Sequence, residues 1–205
     1  MIKIENTLTP SEEMMEAVIR GMRNPYNSWE KSDNGGPRDH ELMLKLAHAG
    51  NSNPSHSKFR RMMVVYTDVT APFYWWKEYD TYCVGTVKNS CSTMHSITSK
   101  EFTFDDFSHD HIITERSYQH LLDTIDILNE NRNAFLREES DPAVKKIYWY
   151  QIIQLLPESY MQKRTLMLSY EVLHKIYVER NDHKLEEWHT FCGWIQSLPN
   201  SDLIV

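Results

Sequence analysis

No run of the 205 residues approaches the length and apolarity needed to span a bilayer. The opening MIKIENTLTP lacks the charged-then-apolar layout of a secretory leader, so a cytoplasmic location is the expectation. Cysteine is scarce: Cys83, Cys91 and Cys192 form an odd set without a CxxC pair, which fits a reducing compartment and no structural zinc. Positive charge is in deficit, with a formal net charge of −7, which argues against general nucleic-acid affinity. Arg60, Arg61, Lys163 and Arg164 could still gather into a local basic patch, but no recognition motif accompanies them. His109-Asp110-His111 has no companion such as HExxH, so no metal is expected. Internal repeats, low-complexity tracts and long linkers are all missing, and a single domain over 1–205 follows.

What is present suffices for a core: 40% hydrophobic, 12% aromatic and 25% charged residues describe a folded globular chain. The chain is organised around Ala71–His95, an aromatic helix candidate opened by Pro72 and followed by a small polar turn with Gly85, Asn89, Ser90, Cys91 and Ser92. Such a pair can serve as wall and rim for a flat ligand; equally, Phe73, Trp75, Trp76 and Tyr79 can simply be core. Upstream, Met1–Asn6 reads as a short strand, and Thr9-Pro10-Ser11-Glu12 as a capping box with Thr9 as cap, opening a helix to about Arg23. Asn24–Pro37 reads as loop, Arg38–Ala49 as a helix ended by Gly50, and Met62–Val69 as the best strand candidate. Arg60 and Arg61 at the lip of that strand suit phosphate, or are merely solvated.

Beyond the centre, Ser99–Asp110 is irregular with a turn at Phe104–Phe107, and helices follow from Glu115 to about Arg137 and from Asp141-Pro142 to Leu156-Pro157. A long helix is expected from about Ser159 to Arg180, because Leu166, Tyr170, Leu173 and Tyr177 recur at spacings of four, three and four. Arg180 continues that apolar stripe, so it either meets an anionic partner or escapes to water at the helix end. A last helix spans Leu185–Ser197.

In this order the chain resembles the flavin-dependent thymidylate synthases. The shared landmarks are Leu46–Gly50, a strand into Ala71-Pro72, an aromatic helix, a Ser/Asn elbow, Leu156-Pro157 and a helix ending in Arg180. The resemblance implies an α/β fold, helix-rich with a small central sheet, a homotetramer, FAD, and methylation of dUMP to dTMP with methylenetetrahydrofolate and NADPH. The family's Arg-His-Arg signature followed by Ser is altered. Aligned on Asn89 and Ser92, the triplet is Tyr82-Cys83-Val84; aligned from Ala71-Pro72, it is Thr81-Tyr82-Cys83 with Cys91 at the serine position. Met94 replaces the arginine two positions beyond the serine in the first register, Asn51 stands where the family usually has His, and Glu171 replaces the arginine of a nucleotide-facing Asn-x-Arg, here Ser169-Tyr170-Glu171.

By this resemblance Arg180 and Ser92 are the expected catalytic residues on the nucleotide. Asn89, Arg60, Arg61 and Tyr82 are the expected cofactor contacts. With several cations gone, the ordinary reaction loses much of its charge stabilisation. Two readings stand: a divergent enzyme binding FAD and a pyrimidine nucleotide, or an inactive relative used as a binding or assembly module.

Overall fold

The computed structural model describes all 205 residues. Four strands, β1 (Lys3–Leu8), β2 (Val64–Pro72), β3 (Thr86–Ser90) and β4 (Met161–Ser169), form one antiparallel sheet in the order β1-β2-β4-β3. Eight helices accompany these strands, in chain order α1 (Glu12–Arg23), α2 (Pro37–Ser52), α3 (Phe73–Tyr79), α4 (Thr93–Ser96), α5 (Glu115–Arg137), α6 (Pro142–Leu155), α7 (Tyr170–Arg180) and α8 (Glu186–Gln196). The helix-rich architecture with a small sheet is the one expected from the resemblance. No helix is long and apolar enough to cross a membrane.

The chain divides into two compact units. One comprises Met1, Thr70–Glu78 and Ser90–Arg164. Its core is the cluster Ile97, Phe102, Phe107, Leu121, Ile125, Leu128 and Ile152, to which α5 and α6 contribute. The α5 limits coincide with the expected ones, because a long amphipathic period leaves little freedom at either end. Trp76 is buried, donating its indole N–H to the Gln162 carbonyl at 2.9 Å, and the Arg164 guanidinium lies 4.2 Å from its ring.

The other unit comprises Ile2–Val69, Tyr79–Asn89 and Thr165–Val205. Its core includes Val18, Met43, Phe59, Met63, Val65 and Leu166, with Tyr79 stacked 6.5 Å from Trp188 of α8 and meeting Phe191 edge-on.

Several expected boundaries move. The α1 cap is Ser11, not Thr9: its side chain accepts from the Met14 N–H, and Glu12 and Glu13 then fall in the first turn, where the helix dipole favours carboxylates. Gly50 does not end α2, which runs on to Ser52. The turn expected after the aromatic helix contains a strand, β3, whose Thr86, Val87 and Lys88 suit a short, polar sheet edge. The largest correction concerns Ser159–Ser169. That stretch holds β4, not helix, and buried Gln162, Leu166 and Leu168 fall on the even positions of a two-residue period. The four-residue step from Leu166 to Tyr170 therefore crosses a strand-to-helix junction, and the continuous apolar stripe invoked for Arg180 does not exist. Trp75, Trp76 and Tyr79 are buried, which decides for the core alternative.

The loop before α2 is held by a closed ionic clasp. Asp39 is fully buried, with Arg23 Nε 2.6 Å and Nη 2.5 Å from one carboxylate oxygen. The other oxygen accepts from Ser32 Oγ at 2.7 Å, Gly35 N at 3.0 Å and Asp33 N at 3.2 Å. Burial pushes the Asp39 pKa up, but the Ser32 and Gly35 hydrogen bonds and the Arg23 charge overcome it and hold it at about 2. This folded value lies below the unfolded one, so the contribution is complete above about pH 4 and is lost as pH falls toward about 2. Asp39→Ala leaves Arg23 buried without its counter-charge and is expected to cost about 3–5 kcal/mol, read by urea unfolding at neutral pH. The same comparison at about pH 2 should show a smaller difference.

Candidate functional site

At the end of β4 the chain turns into α7, and Ser169 caps that helix by accepting from the Val172 N–H. This junction places Glu171 in the first turn of α7, a position favourable to a carboxylate. Opposite it in sequence, α2 leads through Asn51–Ser57 to a tight helical turn at Lys58–Arg61. Between these segments and the Thr81–Gly85 turn lies a cavity of about 680 Å³, with Val64, Met167, Val172 and Val178 as its apolar wall.

Two glycines permit this packing. A Cβ on Gly50 would sit 2.4 Å from the Ser57 Cβ, so only glycine lets Ser57 fold back against α2. Gly85 has φ +79°, and a Cβ there would lie 3.0 Å from Val172 Cγ2. Ser57, buried by the first of these approaches, donates its hydroxyl to Glu171 Oε2 at 3.1 Å. The other oxygen, Oε1, has Arg61 Nη2 at 3.9 Å, beyond hydrogen-bond range, and the Glu171 side chain keeps 23% exposure.

Arg60 is the unusual member. It is only 4% exposed, it lines the cavity, and its Nε is buried with no hydrogen-bond partner. Burial pulls its pKa below the usual guanidinium value, while the Glu171 charge pushes it back. A buried donor left unpaired is costly, and an acceptor delivered into the cavity would relieve it.

Tyr82 forms another part of the lining. Its hydroxyl donates to Glu179 Oε2 at 2.8 Å and accepts from Arg180 Nε–H at 2.9 Å. Burial, with Glu179 accepting its proton, pushes the phenol pKa up to about 12 against the pull of Arg180. The Arg180 guanidinium lies 5.0 Å from the Trp188 ring and 5.7 Å from that of Tyr82, so it is held between aromatic faces.

Of the residues expected from sequence, Arg60, Arg61 and Tyr82 line this one cavity, and Arg180 reaches it through the Tyr82 hydroxyl. Asn89 lies exposed on β3 and is not part of the lining. Ser92 belongs to the other unit, where its side chain caps α4 by accepting from the His95 N–H. Sequence reasoning noted Glu171 only as a lost arginine and passed over Ser57 and Lys175, which also line the cavity. The alternating burial of Met161–Ser169 ends the strand at Ser169 and so puts Glu171 at a helix start. His109 Nδ1 lies 2.7 Å from the Phe107 carbonyl, and no group of three or more His, Cys, Asp or Glu could hold a metal.

Gly50→Ala is expected to displace Ser57 and destabilise the fold by about 1–3 kcal/mol in urea unfolding. Tyr82→Phe should cost about 1 kcal/mol and remove one phenol that otherwise ionises only near pH 12 in an ultraviolet titration.

No protein-family model matches the sequence, and no curated relative matches it. Among solved structures, the chain is similar to flavin-dependent thymidylate synthase ThyX from Helicobacter pylori complexed with FAD and dUMP. The TM-score is 0.66 over 99% of this chain and 97% of that one, at 16% sequence identity. A second Helicobacter pylori Thymidylate Synthase X structure with FAD and dUMP gives a TM-score of 0.63 over 98% and 94% of the two chains, also at 16% identity. The chain has the fold of these thymidylate synthases along nearly its whole length.

Proposed function

We propose that this chain is a divergent flavin-dependent thymidylate synthase-like protein that binds FAD and a pyrimidine nucleotide. The observation that carries the reading is the cavity itself. It opens beside a buried arginine whose Nε has no partner, within a fold shared with proteins that hold FAD and dUMP. The residues present fit a flavin: an aliphatic wall for the ring, Arg60 for a ring acceptor, and Arg61 and Lys175 at the same lining for anionic groups. Bound there, FAD would supply hydride chemistry. Arg180 acts on the site through the Tyr82 hydroxyl, and Ser92 and Asn89 contribute in a homotetramer, where several copies can complete one site.

A specific observation favours binding over ordinary turnover. Glu171 stands where the resemblance implies a nucleotide-facing arginine, and the Arg-His-Arg triplet is absent in either register. Losing preorganised cations costs roughly a hundredfold or more in rate for each donor. A role as an inactive binding or assembly module, without NADPH or methylenetetrahydrofolate, therefore accompanies the first reading.

Visible absorption of the purified protein tests the proposal. Flavin bands are expected after adding FAD, and they should shift on titration with dUMP. Arg180→Ala should weaken the dUMP-induced shift about tenfold or more in apparent affinity. A protein that stays colourless after dialysis from excess FAD contradicts flavin binding.

A further inference from the structure

Four side chains of the cavity, Ser57, Arg60, Arg61 and Glu171, bear on what part of a ligand it takes. Glu171 Oε2 is bonded to Ser57, but Oε1 has only the loose approach of Arg61 at 3.9 Å and retains capacity to accept a hydrogen bond. Arg60, on the same lining, has a buried Nε with no acceptor. The cavity thus offers one underused acceptor, and a lining arginine whose Nε is buried without an acceptor; the two charges attract one another. A phosphate suits this pair badly, because it would answer Arg60 while being set against the Glu171 carboxylate. A ring carrying adjacent C=O and N–H groups answers both: the carbonyl accepts from Arg60, and the N–H donates to Glu171. The aliphatic wall of Val64, Met167, Val172 and Val178 suits a flat, uncharged ring rather than a charged tail.

We propose that Glu171 and Arg60 together read the lactam edge of a heterocyclic ring, making Glu171 a specificity-determining residue and directing the phosphates of any nucleotide away from it. The proposal rests on the ligand classes given above and deepens them. Two sources carry this edge, a pyrimidine ring and an isoalloxazine ring, and the charge pattern is the same for both.

Calorimetric titration of the full chain with deoxyuridine, 3-methyldeoxyuridine, riboflavin and 3-methylriboflavin tests it, with FAD and dUMP titrated alongside. One parent ring is expected to bind at least about tenfold more tightly than its N3-methyl derivative, because methylation removes the N–H and leaves the carboxylate unpaired. Which parent shows the preference identifies the ring. Glu171→Ala should bind parent and derivative about equally, and Glu171→Gln, which keeps a neutral acceptor, should restore part of the preference. Circular dichroism melts confirm that both variants are folded. Equal binding of parent and N3-methyl rings by the unaltered protein overturns the lactam assignment while leaving the ligand classes intact. So does a preference that survives in Glu171→Ala. Absence of binding by all four probes, with FAD or dUMP still bound, also overturns it; absence of binding by every compound overturns both.

Discussion

An arginine withdrawn from water must meet negative charge or acceptors close by. In the unit that contains the cavity, this constraint links features far apart in sequence. Gly50 lacks the Cβ that would strike Ser57; Ser57 is thereby buried and able to hold Glu171; Glu171 supplies the charge that opposes the desolvation of Arg60. The strand-to-helix junction at Ser169 fixes where Glu171 emerges. The Gly85 turn lets the Thr81–Gly85 segment close against Val172. The cavity is what remains between these pieces.

The same unit contains a buried ion pair elsewhere, and the contrast with Glu171 and Arg60 is informative. Arg23 and Asp39 satisfy one another at hydrogen-bond distance, and every further lone pair of Asp39 is taken by Ser32 or by backbone N–H groups of its loop. That pair is saturated and serves folding. Glu171 and Arg60 are unsaturated: one oxygen lacks a close donor, and one buried N–H lacks an acceptor. Unsatisfied buried polar groups are rare in folded proteins, and a buried Nε without an acceptor on a cavity-lining arginine separates this site from a structural bridge.

Much of the architecture was legible in the sequence where periodicity runs long. The α5 helix keeps one apolar face over 23 residues, so its limits could be read directly. The failure at β4 has a physical cause. Leu166, Tyr170, Leu173 and Tyr177 happen to mimic a helical stripe, although the first lies on a strand and the others on the helix that follows. Sheet pairing with β2 and β3 overrode that local pattern, and no single-chain period reports a pairing with distant strands. The site was legible only in part. Arg60, Arg61 and Tyr82 line one cavity, whereas Asn89 is exposed on an edge strand and Ser92 caps a short helix. Trp75, Trp76 and Tyr79, from the most conspicuous stretch of sequence, furnish core rather than cavity wall. The importance of Glu171 comes from its neighbours, Ser57 and Arg60, both more than a hundred residues away in sequence.

The claim at the centre of this account is that ligand binds between the Lys58–Arg61 turn, the Thr81–Gly85 turn and the start of α7. Hydrogen–deuterium exchange with and without FAD tests it most directly, because backbone protection maps a binding site without assuming any chemistry. The account predicts slowed exchange in peptides covering 57–61, 81–85 and 169–175. Protection confined to other segments, or unchanged exchange at saturating FAD, would contradict it.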